Sequence, residues 1–261
     1  MAAVVNALFL AAAVYVYLAL ARQIAARAPS IGALEPTFGW PDAIAAFGLA
    51  TLFALNAAAP SASNDRVILG TRDLVANALI SLSLLVFVAA FLTLRGRRVT
   101  SLAGFSKLSF RRSLTTASVL LLVAYPLLAV AELITQQILR GPSSRQGIVE
   151  LFNGSQTLKQ RIIIIVLAVA IAPMVEEFIF RFYLYGVIKR YFGRFAGLLA
   201  NSLLFAAVHA HVPSALPLFV LGVCLTLAYE WSGSIVVSMT MHALFNSLTL
   251  TALAFPDLLP Q

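Results

Sequence analysis

The sequence predicts an all-α, polytopic membrane protein, a bundle of about eight transmembrane helices, and three observations lead there. Of 261 residues 61% are hydrophobic, only 11% are charged, and mean hydropathy is +0.94. Soluble domains run near half apolar and about a quarter charged. So little polar surface cannot coat a globule in water, which excludes a soluble enzyme, and so much apolar surface excludes disorder. The apolar residues also gather into runs near the roughly 20 residues that a bilayer crossing needs. Finally, the basic residues fall mainly between those runs.

The first run, from about Ala3 to Ala21, has no basic segment before it and is followed by Arg22 and Arg27. It is too long for a signal-peptide core and reads as a retained helix. The second spans about Asp42 to Ala59 and stops at Pro60; the third spans Leu74 to Leu94 and stops at Arg95. Arg95, Arg97, Arg98, Lys107, Arg111 and Arg112 then follow with no acidic residue among them, which marks a cytoplasmic loop. The fourth run, about Leu114 to Ile138, leads into a polar loop with Gly141, Pro142 and Ser143.

A long apolar stretch from Ile162 to Ile188 ends in Lys189, Arg190 and Arg194. Two spans after the first basic loop, this second cluster belongs on the same side. Three further runs, about Phe195 to Val208, Leu216 to Tyr229 and Ile235 to Phe255, bring the count to eight, with both termini on the non-cytoplasmic side. Residues 1–140 therefore read as N-terminal transmembrane helices and 150–255 as a catalytic core within one integral membrane unit. Asn153-Gly154-Ser155 fits a glycosylation acceptor but is a commonplace triplet.

The 18 Lys and Arg against 10 Asp and Glu give +8, which in loops between membrane runs points to anionic lipid rather than nucleic acid. Cys224, the single cysteine, excludes an intramolecular disulfide and a cysteine metal cluster.

Ionisable residues at bilayer depth cost a few kcal/mol each and read as functional by default. They concentrate between Met174 and Asn246. In Pro173-Met174-Val175-Glu176-Glu177-Phe178-Ile179-Phe180-Arg181, adjacent helical residues point about 100° apart, so Glu176 and Glu177 cannot share a direction. Glu177 and Arg181, at i and i+4, can pair, which leaves Glu176 as the acid or base. Pro173 removes one helical hydrogen bond and can open the backbone locally. A buried ion pair that only joins helices accounts for Glu177 and Arg181 but not for Glu176.

His209, four residues after Phe205, reads alone as a core histidine bonded to a carbonyl; His211, beside Pro213, reads as interfacial. His242 and Asn246, at i and i+4, can face an oxyanion together, or His242 can ligate a metal; alone they read as a pair joining helices. Glu132 is expected to turn towards the bundle interior and Glu230 to lie at the interface.

Glu-Glu-x-x-x-Arg, Phe-x-x-x-His and His-x-x-x-Asn, in that order on successive helices, resemble the signature of the intramembrane CAAX proteases and bacteriocin-processing enzymes, the CPBP family. The resemblance covers roughly Ile162 to Ala254. It implies hydrolysis of peptide bonds in membrane-embedded or lipidated substrates, CAAX-type prenylated ones included, by an activated water. Glu176 would act as general base, with His209 holding or helping to activate the water. His242 and Asn246 would stabilise the oxyanion, and Glu177 with Arg181 would hold the helix. The family is often labelled metalloprotease, and a zinc ion, if present, would take Glu176, His209 and His242; a metal-free mechanism uses the same residues. The Ala-rich composition and compact length suggest a bacterial cell membrane. Two other classes compete: a non-proteolytic scaffold or bacteriocin self-immunity factor, for which Glu176 would be dispensable, and a proton-coupled transporter, which the apolar first half disfavours.

Overall fold

The computed structural model of the chain describes residues 2–27, 38–58, 71–139, 152, 154, 155 and 157–255. The loop at Gly141, Pro142 and Ser143, Asn153 of the triplet, and the second run's end at Pro60 lie outside them. Among the described residues the regular structure is helical throughout, as lipid requires of an open chain that must satisfy every backbone group internally. Helices α1 (Ala2–Ala26), α2 (Trp40–Ala58) and α3 (Thr71–Leu94) precede a short α4 (Val99–Leu102) within the basic loop, and α5 (Phe110–Leu139) follows. Then come α6 (Leu158–Val166), a π-helical segment Leu167–Ile171, α7 (Ala172–Glu177), a second π-helical segment Phe178–Leu184, and α8 (Tyr185–Val208). A 3-10 turn at Val212–Ser214 leads into α9 (Ala215–Ser232) and α10 (Ile235–Ala254).

Seven of the described helical stretches are long and apolar enough to cross a membrane, so the chain is an integral multi-pass membrane protein. The expected fifth and sixth runs are one of these stretches, Leu158–Val208, 51 residues long. At about 1.5 Å per residue such a rod would far exceed the roughly 30 Å hydrocarbon core, and Gly193 folds it back. Its φ of 85° and ψ of 168° are open to a residue without Cβ, so two antiparallel arms meet without a loop. The eight expected rods are present; the connection between two of them is a single residue rather than a charged linker.

Helix α5 packs against α1, α9 and α10, and α8 against α2 and α9. Both basic clusters lie at one end of this bundle. Ile235 N–H donates to Ala103 O (3.0 Å), tying the basic loop to the start of α10. Glu230, expected as a solitary interfacial residue, is paired there: its Oε1 lies 2.7 Å from Lys189 Nζ and 3.3 Å from Arg194 Nε. Asp42, fully buried at the start of α2, pairs with Arg95 at the end of α3 (3.0 Å), and Tyr183 donates to the Asp42 carbonyl (3.0 Å). Glu132 is half-buried and accepts from Gln136 (2.9 Å).

Gly104 fastens the basic loop to the turn that starts α10. Its φ is +72°, and a Cβ there would collide with the Gly233 carbonyl oxygen. Gly104→Ala therefore combines left-handed strain with a backbone clash, each worth about 1 to 3 kcal/mol. The expected result is a lower unfolding midpoint in detergent; an unchanged midpoint would show that the loop separates from α10 at no cost.

Candidate active site

The segment that carries the two glutamates is irregular for a local reason. The first π-helical segment hydrogen-bonds from residue i to i−5, as Ala172 N–H does to Leu167 O. The next bond in that register would run from residue 173 to Ala168 O, and Pro173 has no N–H to give. The register ends there and α7 begins. A second π register follows, with Tyr185 N–H bonded to Phe180 O. Single π turns inside α-helices recur at functional sites, and here they flank both glutamates. Pro173 was legible as a helix-opening signal; the π register was not.

Glu177 and Arg181 are fully buried and paired, Arg181 Nε lying 3.2 Å from Glu177 Oε2. The other carboxylate oxygen of Glu177 accepts from His242 Nδ1 (2.9 Å). A carboxylate only accepts, so the hydrogen is on Nδ1 and the neutral ring is bare at Nε2. That atom faces Glu176, whose Oε2 is 3.9 Å away. The Glu176 side chain is 28% exposed, against 0% for Glu177 and 4% for His242. The two adjacent carboxylates are thus divided as the helix geometry requires: one is sealed in and orients the imidazole, the other is reachable.

His209 closes α8, its Nδ1 donating to Phe205 O (2.7 Å), which again leaves Nε2 bare. The solitary reading of this residue, a histidine bonded to a carbonyl, describes half of the ring. The other half is placed by Phe205, a fully buried residue whose ring makes edge contacts with both imidazoles, at centroid distances of 4.9 Å to His209 and 5.8 Å to His242. Arg181 Cζ lies 4.1 Å from the same ring centroid, and Phe180 meets it edge-on at 5.4 Å. Phe205 is the common neighbour of the motif elements, a role that the Phe-x-x-x-His spacing alone does not reveal.

Asn246 is half-buried on α10, and its Nδ2 donates to Ala168 O (2.7 Å). His211 stands apart from the group and bonds Ser214 Oγ (2.7 Å). Cys224 is buried in α9. Between the Val169–Met174 stretch and α10 lies a cavity of about 290 Å³, lined by residues that include Val169, Pro173, Met174, Met239, Ala243 and Ser247. It runs along the two helices that hold Glu176 and His242.

Zinc held by Glu176, His209 and His242 does not fit this arrangement. Among the described residues no three His, Cys, Asp or Glu side chains are grouped so as to hold an ion. Glu176 and His242 approach each other, while His209 is anchored to its own helix end by the Phe205 carbonyl.

No curated protein and no solved structure matches the chain. Residues 158–248 match the family model described as type II CAAX prenyl endopeptidase Rce1-like. That span opens at the first residue of α6 and closes on α10 just past Asn246, so it takes in both π-helical segments, Phe205 and every polar residue of the site. Through residues 158–248 the chain belongs to this Rce1-like family of membrane endopeptidases.

Proposed function

We propose that the chain hydrolyses peptide bonds of membrane-associated substrates, CAAX-type prenylated tails among them, with Glu176 as the general base. The observation that carries this reading is the reachable Glu176 carboxylate facing His242 Nε2 across 3.9 Å while Glu177 holds the far side of that ring. A gap of that width is longer than a hydrogen bond and leaves both groups free to engage a third partner.

In the first step Glu176 takes a proton from water as the water oxygen attacks the peptide carbonyl carbon, with His209 Nε2 accepting the water's other hydrogen bond. The tetrahedral oxygen gains negative charge, and His242 in its protonated form donates to it from Nε2. Glu177 accepts at Nδ1 throughout and fixes the ring's direction. Collapse breaks the carbon–nitrogen bond, and Glu176 returns its proton to the leaving nitrogen. The cavity between α7 and α10 offers an apolar berth for the substrate chain beside these groups.

The test is cleavage of a membrane-anchored reporter peptide by the purified chain in lipid vesicles. Glu176→Gln is expected to lower turnover by about 10² to 10⁴, the range of general acid–base catalysis. Being partly exposed and outside the buried pair, Glu176 can be replaced with little change in the unfolding midpoint. His209→Ala should lose activity in the same way. Full activity in both variants would falsify the proposal, and would favour the scaffold class.

A further inference from the structure

We infer that Asn246 is a positioning residue that substitutes for the backbone donor missing at Pro173, rather than a donor to the oxyanion. The inference deepens the proteolytic reading and rests on it. Pro173 interrupts the π register after Ala172 N–H→Leu167 O and leaves the Ala168 carbonyl without its next backbone donor. Ala168 is buried, and an unpaired carbonyl in an apolar interior is costly. The donor that reaches it comes from another helix: Asn246 Nδ2, 2.7 Å away and 78 residues on in sequence.

This contact joins α10 to the π-helical segment ahead of α7, one turn beyond His242 on the first element and two turns before Glu176 on the second. It fixes how far the two helices slide along each other, and so the span between Glu176 and His242 Nε2. The sequence pair Pro173 and Asn246 is then one device: the proline opens the backbone ahead of the two carboxylates, and the amide closes the gap left behind. An amide spent on Ala168 O has its acceptor in the scaffold, whereas an oxyanion donor is expected to aim at substrate.

The two assignments separate in a double-mutant cycle with Pro173→Ala, which restores an N–H at the position facing Ala168 O. Alone, Asn246→Ala is expected to lower kcat about a hundredfold through misplacement of the reacting groups, with KM little changed. In the Pro173→Ala background the same substitution should lower kcat by no more than about threefold, because the restored N–H takes over the carbonyl. The unfolding midpoint in detergent should show matching coupling: a clear drop for Asn246→Ala alone, a small one when Pro173→Ala is also present. Equal losses of kcat in both backgrounds would assign Asn246 to the oxyanion and overturn the inference. Additive midpoints, or a Pro173→Ala chain without activity, would overturn it too. The midpoint arm requires no substrate, so failure of the proteolytic reading in Glu176→Gln and failure of this inference give different results.

Discussion

Glu177→Ala is expected to remove activity and stability together, the largest combined loss of any single change in the site. The Glu177 carboxylate has two buried partners, Arg181 Nε at 3.2 Å and His242 Nδ1 at 2.9 Å, and no exposed surface. Its removal leaves the Arg181 guanidinium charged, fully buried and without its ion-pair partner. Breaking a buried pair from one side costs about 3 to 5 kcal/mol, because a bare charge is left behind. In the same stroke His242 loses the acceptor that sets its ring direction, so cleavage should fall at least as far as in Glu176→Gln. Unfolding in detergent, followed by thermal or SDS titration, reads the first effect, and the vesicle cleavage assay reads the second.

A double replacement separates them. Glu177→Leu with Arg181→Met removes both charges at similar volume, and apolar replacements of buried ion pairs are often neutral or stabilising. Stability should return most of the way, short of the roughly 1 to 3 kcal/mol for an unpaired imidazole N–H. Activity should not return, since an aliphatic side chain in place of the carboxylate cannot accept from Nδ1. A double variant that regains cleavage would reduce Glu177 to a counter-charge for Arg181, with His242 oriented by something else.

This contrast also shows which parts of the site were legible in the sequence. Glu177 and Arg181 sit four apart on one helix, and helical periodicity alone brings them together. Glu177 and His242 are 65 residues apart on helices whose mutual rotation no local pattern records. The sequence therefore reads Glu177 as a helix clamp, while the folded chain makes it an orienting acceptor as well. The same limit applies to Asn246: its place beside His242 follows from i and i+4 spacing, but its bond to Ala168 depends on a register that Pro173 breaks on a different helix. The membrane spans were legible because lipid demands apolar length. The elbow at Gly193 was not, since the basic residues around it mimic a loop, and Glu230, which binds two of them, comes from α9. The division of labour between Glu176 and Glu177 was legible in outline, because about 100° of helical rotation separates any two neighbours.

Phe205→Ala carries the second large expectation, and it follows from what surrounds one ring. A fully buried phenylalanine truncated to alanine costs about 3 to 5 kcal/mol through lost contacts and the cavity left behind. Phe205 also lies beneath the Arg181 guanidinium at 4.1 Å, and a desolvated cation over an aromatic face contributes about 2 kcal/mol or more. The Arg181 charge then loses one of the two groups that compensate its burial. Phe205→Leu is the more telling variant, because it keeps apolar bulk while removing the ring. Its stability loss should be the smaller of the two, yet cleavage should still fall, since both imidazoles lose the edge contact that places them. Combining Phe205→Leu with Arg181→Met should then show coupling of about 0.5 to 3 kcal/mol, the range for residues in direct contact. Additive losses in that cycle would mean the ring only fills space. Coupling in stability, together with lost cleavage in Phe205→Leu, would mean that one aromatic side chain aligns the two histidines through the same face and edges that shelter the buried arginine.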